Sequence, residues 1–525
     1  MAARKPFGSK TIQSRPDGQI RQSQLVMTFG PGAMVDLIDS AIVVGGLDFW
    51  KYDGGAYKRI DEPRLRDAIR RRGGKLAEED AFRAPPEGND QEPTRQAGVL
   101  SLEFPQWFVC QNDECRALRR SHTLTRKGTR YIHDCTRGKS KATECVPSRF
   151  VVACKNGHLD EFPWVGFAHH YERDCSNPLL EIVEGASGDF ADIFVRCTSC
   201  RKERRLADAQ REEANPACSG KQPWLGGEGR VPCDQKQRLL VRTASNSYFA
   251  QVMSALSIPL DESPLTEPLD LLWEYFETAT LDDLRVIRKQ KRVAGNAALA
   301  GVDDATLMAA IEAKRNAATS NEALRSAEFR VLLDQPAEAS GDLPPEGAPF
   351  YARRIVPNSK VPPSVSAVVA IKKLREVRAQ VGFTRIAAPA ADLQGEFEIN
   401  VRTAPLGLTP KWLPATEVFG EGVFLQFREE AVRAWEERPA VLARAKELLA
   451  GYDLENRHRD EAPPFLGARF YLLHSIAHLL ISAISWSADT RRAPFASAST
   501  ARRATTRCPW RASFSPRGAP AAREP

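Results

Sequence analysis

Long apolar runs are what this chain has least of: none nears the ~18 residues that cross a bilayer. The opening stretch from Met1 to Arg15 is polar and basic, without the apolar segment of a secretory signal. The chain therefore reads as cytoplasmic, with no membrane partner. Nucleotide-binding loops are missing too. Gly138-Lys139-Ser140 ends like a phosphate-binding loop, but the first glycine of that loop would fall at His133, which excludes ATP hydrolysis by that route. No dinucleotide glycine fingerprint, Ser/His/Asp signature or internal repeat is present. His474 and His478 share one helix face, yet Ser475 stands where a metalloprotease carries its general-base Glu, so both read as hydrogen-bonded residues of a core helix.

Acidic residues are scarce at the C-terminal end. Lys and Arg number 74 against 67 Asp and Glu, a net charge of +7. Ser482 to Pro525 holds eight Arg but only Asp489 and Glu524 as acids, which accounts for +6 of it. Global charge thus carries no argument for nucleic acid, and any such case must rest on local patches.

At 525 residues the chain exceeds one ordinary core and suggests about three domains. Patterning predicts an α+β, multi-domain protein. Residues 1–24 read as a disordered basic arm and 25–104 as an N-terminal α+β region, with a Gly30-Pro31-Gly32 turn that is a plain turn before it is a phosphate cradle, since Pro31 has no N–H. The cysteine-rich block covers 105–240, a mainly helical region 241–335, and a Pro-rich linker 336–350. Residues 351–481 form an α+β C-terminal domain, with a charged helix expected around Ile371 to Gln380 and a strand through Val423, Leu425 and Phe427. Residues 482–525 read as a disordered Arg/Ala/Ser/Pro-rich tail of the composition a frameshifted reading yields, which would leave the last domain truncated.

Ten of the eleven cysteines fall between Cys110 and Cys233, the clustering of metal ligands rather than of scattered core thiols. Without an export signal they are reduced. Two pairs have knuckle spacing, Cys110/Cys115 and Cys197/Cys200, each at the end of a strand-like run. A structural zinc ion takes a second pair from farther along, which predicts two sites: Cys110, Cys115, Cys135 and Cys145, and Cys197, Cys200, Cys218 and Cys233. Whether Cys154, His158 or Cys175 joins a site is left open by spacing alone. The bland alternative is a set of buried free thiols. A nucleophile and base at Cys154 and His158 is disfavoured, because the Asn156-Gly157 turn looks built to order a corner beneath Trp164.

Ser23 to Ala33 with Gly46 to Asp48, Arg149 to Trp164, Gly185 to Gly188, Trp412 to Gly422 and Leu473 to Leu480 together resemble the DrmB family, a component of the bacterial DISARM anti-phage system. The resemblance covers about residues 20 to 481. It implies a C-terminal domain also found fused to certain helicases, a separate DrmA-like helicase as partner, and a non-enzymatic role in a complex that engages DNA for antiviral defence. The expected cofactor is structural Zn2+, two ions per chain, with no catalytic residues. A metal-dependent hydrolase or nuclease is the rival reading, to be recognised by a site mixing histidine and carboxylate with a bound water. A protein-interaction scaffold without DNA contact is a second alternative.

Overall fold

The computed structural model describes residues 20–88, 97–135, 142–172, 175–185, 190–211, 214–258, 265–319, 324–339, 341, 343–356, 361–387, 403–457, 464–487, 496–500 and 511–515. Helix and sheet are mixed, as the α+β reading requires. The chain divides into two compact units. One comprises Met1–Ser254, Val377–Asp392 and Phe397–Glu417, and the other Ala255–Glu376, Leu393–Glu396 and Val418–Pro525. The stretch expected to form the C-terminal domain thus contributes two segments to the first unit.

The first unit opens with helix α1 (Gln22–Met27) and the antiparallel strands β1 (Met34–Asp36), β2 (Ala41–Val44) and β3 (Ser101–Glu103), with helix α2 (Pro63–Arg71) between β2 and β3. An antiparallel sheet then forms from β4 (Trp107–Cys110), β5 (Ala117–Arg120), β6 (Thr125–Lys127), β7 (Arg130–Asp134), β8 (Ala142–Pro147), β11 (Leu180–Glu184), β12 (Ile193–Cys197) and β13 (Glu203–Arg205). Its spatial order is β13-β12-β11-β5-β4-β8-β7-β6, so β6 is one edge of the sheet among the described residues. A smaller sheet, β10-β9-β14, joins β9 (Phe150–Ala153), β10 (Leu159–Glu161) and β14 (Arg238–Val241), and the short helix α3 (Trp164–Ala168) follows β10.

Strand period explains why β4 is buried on both faces. Trp107 and Val109 point into the main core with Phe150, Val152, Trp164 and Phe167. Phe108 and Cys110 point the other way, into a second cluster with Cys115, Tyr131, Cys135 and Cys145. One strand therefore fixes the thiols of the first knuckle against the principal hydrophobic core.

The Gly30-Pro31-Gly32 turn serves close packing. A Cβ at Gly30 would lie 2.2 Å from Gln380 Oε1, and one at Gly32, where φ is +84°, would lie 2.5 Å from the Phe383 ring. That agrees with a plain turn.

The second unit contains a helical layer, Leu281–Ile287 through Asp304–Thr319, around Leu269, Phe276, Leu284, Leu307 and Ile311. Its sheet pairs Phe350–Ile355 with the long strand Val365–Thr384, from Phe350↔Leu374 to Ile355↔Val368. Ile371 to Gln380, expected as a charged helix, lies inside that strand. Cross-strand pairing and the inward positions of Ala367, Val369 and Ile371 outweigh the helical preference of its charged residues. Val423, Leu425 and Phe427 lie in the strand Leu413–Phe427, as expected.

Helix Gly467–Ser487 also departs from the expectation. Among its described side chains it buries a narrow stripe, Arg469, Leu473 and Ala477, with Arg469 Nε donating to Glu436 Oε1 at 2.8 Å. His474 and His478 are exposed, their rings 4.5 Å apart, and Phe470 stacks on His474. Within it, Gly467–Ile484 is long and apolar enough by length and composition to cross a membrane, an 18-residue window of mean hydropathy 1.3. The sequence alone reads this stretch as a core helix, apolar almost all round, and finds no run near the length that spans a bilayer. Beyond Ser487, strands Ala496–Thr500 and Arg511–Ser515 pair antiparallel within the stretch expected to be disordered. The rest of that tail, the basic arm up to residue 19 and Ala186 to Gly188 lie outside the described residues.

Candidate metal centres

Among the described residues, three groups of soft ligands each bring four ligand atoms within 4.8 Å of one another. They are Cys110, Cys115, His133 and Cys135; Cys154, His158, Cys218 and Cys233; and His169, Cys175, Cys197 and Cys200. All lie in the first unit.

The first group is assembled from strand ends. Cys110 closes β4, and the turn to β5 is tightened by Cys115 N donating to Asn112 O at 2.9 Å and Glu114 N to Asn112 Oδ1 at 3.0 Å. His133 and Cys135 come from the end of β7. Sulfur atoms of Cys110 and Cys135 are 3.4 Å apart, and His133 Nδ1 is 3.5 Å from both Cys115 and Cys135. Cys145 stands opposite Cys110 across the β4–β8 ladder, buried in the same cluster, while His133 fills the fourth corner of the group.

The second group sits where the β9–β10 hairpin meets the arm that leads into β14. Cys154 and His158 flank the hairpin turn, in which Gly157 N donates to Cys154 O at 3.0 Å. Cys218 and Cys233 are brought face to face because their arm doubles back, with Cys218 N donating to Gln235 O at 2.9 Å and Val231 N to Gly220 O at 3.0 Å. His158 Nδ1 lies 3.4 Å from Cys154 and 3.6 Å from Cys218, and Cys154 lies 4.0 Å from Cys233. Gly220 N donates to Cys218 Sγ and Asn156 Nδ2 to Cys233 Sγ, each at 3.4 Å, the outer contacts that orient thiolate ligands.

In the third group, Cys197 ends β12 and Cys200 follows in a turn closed by Arg201 N donating to Cys197 O at 2.8 Å. Cys175 is 3.9 Å from Cys197. His169 caps α3 and is 2% exposed. Its Nδ1 lies 2.7 Å from Val165 O, and a carbonyl only accepts, so Nδ1 carries the proton and Nε2 the lone pair. That Nε2 is buried without a protein partner. A buried acceptor left bare costs ~1–3 kcal/mol, and a metal ion would satisfy it.

These spacings fit a tetrahedral ion. Metal–sulfur bonds of ~2.3 Å and metal–nitrogen bonds of ~2.0–2.1 Å place sulfur atoms about 3.8 Å apart and sulfur about 3.6 Å from nitrogen. The shorter separations, 3.4 to 4.0 Å, scatter around those edges, and all ligand atoms of a group lie within 4.8 Å of one another. Thiol acidity points the same way, with one sulfur favoured as thiolate in each group. Burial alone would raise Cys197, but N–H donors at Cys200 and Ser199 outweigh it and bring the thiol to about 6. Burial likewise opposes the lowering at Cys135, where contacts from Thr143, Cys110 and Cys115 prevail. Cys154 is lowered chiefly by the hydrogen bond from Cys218, which in donating it is itself pushed up to about 12.

The ligand sets differ from those spacing predicts. Cys197 and Cys200 do not meet Cys218 and Cys233; the former pair joins His169 and Cys175, the latter Cys154 and His158. Three groups stand where two sites were expected, and each includes a histidine that the two expected sets omit.

Arg385 lies against the second group. It is fully buried, with Nε donating to Gly157 O at 3.1 Å and Nη1 to Ser247 O at 2.6 Å, while Nη2 donates to Gly32 O. Its guanidinium lies 4.9 Å from the Phe383 ring. Burial lowers it to about 10, still charged at neutral pH, and the Cys154 thiolate is among the negative groups that draw it back up.

Residues 21–249, which include all three groups, match a family described as a domain of unknown function, DUF8724. Among curated proteins the chain is similar to the DISARM protein DrmB of Bacillus paralicheniformis, 25% identical over 484 residues that span 86% of this chain and 78% of that protein.

Proposed function

We propose that this DrmB-like chain is a non-catalytic accessory subunit of a DISARM anti-phage complex in the bacterial cytoplasm, partnering a DrmA-like helicase and helping it engage DNA. The observation that carries the reading is similarity to DrmB along nearly the whole chain. The missing phosphate-binding loop is in keeping with an ATPase supplied by another polypeptide.

The metal held is zinc, as scaffold. Each group offers four nitrogen and sulfur ligands and no carboxylate, a set that closes the coordination sphere and leaves no position for a reacting water. This argues against the hydrolase reading. The proposed ligands are Cys110, Cys115, His133 and Cys135; Cys154, His158, Cys218 and Cys233; and His169, Cys175, Cys197 and Cys200, with Cys145 behind the first site.

The test is reconstitution. A phage-sensitive host carrying the other DISARM genes should lose plaque suppression when this chain is withheld. The purified chain and a DrmA-like helicase should co-elute, and the pair should hydrolyse ATP in response to DNA. Nucleotide consumption or strand cleavage by the isolated chain would overturn the accessory role. Co-elution that resists salt, with ATP hydrolysis indifferent to the chain, would favour the scaffold without DNA contact.

A further inference from the structure

Charge is concentrated in one short stretch. Residues 116–141 hold nine Lys and Arg and a single acid, Asp134, so this stretch alone exceeds the net charge of the entire chain. Its described part builds β5, the turn after it, and the β6–β7 hairpin, whose register runs Lys127↔Arg130, Arg126↔Tyr131 and Thr125↔Ile132 around a Gly128-Thr129 turn.

Some of these cations are committed within the protein. Arg116 pairs with Glu184, Arg119 donates to Leu180 O at 2.9 Å, and Arg130 pairs with Asp39 and Glu144. Arg126 and Lys127 are exposed and form no ion pair with an acid among the described residues; Arg120 is exposed too and forms no direct ion pair there, although its charge reaches the Glu161 carboxylate. The two arginines are held ready. The Arg120 guanidinium lies 5.1 Å from the Trp107 ring, and that of Arg126 lies 5.7 Å from the Tyr131 ring while donating to Gly128 O at 3.3 Å. The hairpin tip is tied down by Thr129 Oγ1 donating to Asp39 Oδ2 at 2.7 Å, and the far end of β7 carries His133 and Cys135 of the first metal group.

Basic side chains also keep an edge strand from pairing with another chain. Lys127 and Arg126 on β6 meet that need; Arg120, on an interior strand, is not required for it, and the lack of any acid from Arg116 to His133 is unexplained by it.

We propose that the β5 end and the β6–β7 hairpin form a nucleic-acid surface that grips the phosphate backbone through Arg120, Arg126 and Lys127. The proposal rests on the DNA-engaging reading above and names the surface responsible. Trp107 and Tyr131 are buried beneath the arginines and cannot stack on bases, so the contact is to phosphates and independent of sequence.

The test uses the full metal-loaded chain and labelled 30-nucleotide DNA, single- and double-stranded, in a salt series read by anisotropy. The R120Q/R126Q/K127Q variant should bind on the order of a hundredfold more weakly near 0.15 M salt, with a log–log salt slope shallower by about 2–3. Unchanged metal content shows that the fold survives. R438Q/R444Q/K446Q, three exposed cations on the other unit, should bind as wild type. DNA binding of normal affinity and slope in the hairpin variant overturns this surface and leaves the DNA-engaging reading intact. Absence of binding by the wild-type chain at low salt defeats that reading itself. Displacement of DNA by polyglutamate at equal charge concentration, with DNA and polyglutamate bound alike, would make this a site for acidic protein and overturn the proposal.

Discussion

Replacing Cys197 and Cys218 together with serine should release two metal ions per chain, although spacing alone places both residues in a single site. The structure sets Cys197 at 3.9 Å from Cys175 and Cys218 at 3.6 Å from His158, in groups with no ligand in common. A serine hydroxyl is a hard, neutral ligand at neutral pH, so each substitution leaves three soft ligands where the ion takes four. Structural zinc contributes ~10–16 kcal/mol in small zinc-finger peptides at neutral pH, and a three-ligand remnant retains too little of that to withstand a chelator. Mass-spectrometric metal analysis after mild chelation should give about three ions for the wild type, one fewer for either single variant, two fewer for C197S/C218S, and one fewer for C197S/C200S. Loss of a single ion from C197S/C218S would refute the grouping and restore a shared four-cysteine site.

Burial holds the Glu161 carboxyl at about 7, well above its ordinary 4.5, with Gln106 N donating to Oε1 at 2.6 Å. Because the folded state keeps its proton longer than the unfolded chain, stability falls as pH rises from about 4.5 to about 7 and is level above. Glu161→Gln should therefore gain up to ~3 kcal/mol in urea melts at pH 8, a gain that shrinks toward pH 5; equal effects at both pH values would refute this. Arg385→Leu strips donors from the carbonyls of Gly157, Ser247 and Gly32 and should cost ~3 kcal/mol or more, with the second site releasing its ion at lower chelator concentration; a stable, fully loaded variant contradicts this role. Acidification should release metal, since binding displaces protons from thiol ligands such as Cys218, held at about 12 in the free protein; retention of the ions to pH 4 would argue against thiolate ligation.

What the sequence exposed were local signals. Cys110/Cys115 and Cys197/Cys200 end strand-like runs, and the structure finds each pair in one group on a tight turn. Spacing failed for the rest because it joins a knuckle to the next cysteines along the chain, whereas β-pairing joins segments far apart. The pairing of β9 with β14, from Phe150↔Val241 to Ala153↔Arg238, brings the arm with Cys218 and Cys233 back to Cys154 and leaves Cys197 to other partners. His158, four residues after Cys154, carried a readable signal. His169 carried none, since its role depends on a short helix end and a tautomer fixed by Val165 O. His474 and His478 were misplaced for a related reason: helical periodicity shows that a face is apolar but not whether the fold covers it.

The order of the ligands along the chain has a consequence for assembly. His169 to Cys200 lie wholly inside the 60-residue span from His158 to Cys218, so one ion's loop encloses the other's. An ion seated first on the inner ligands cuts the slack in the outer span by about half, which lowers the outer closure cost by ~0.6 kcal/mol. The coupling is small and reciprocal; what favours filling from the inside outward is that the inner span is itself about half the outer one and so closes first at lower entropic cost. A nascent chain that meets scarce zinc would then complete its inner clasp before its outer one.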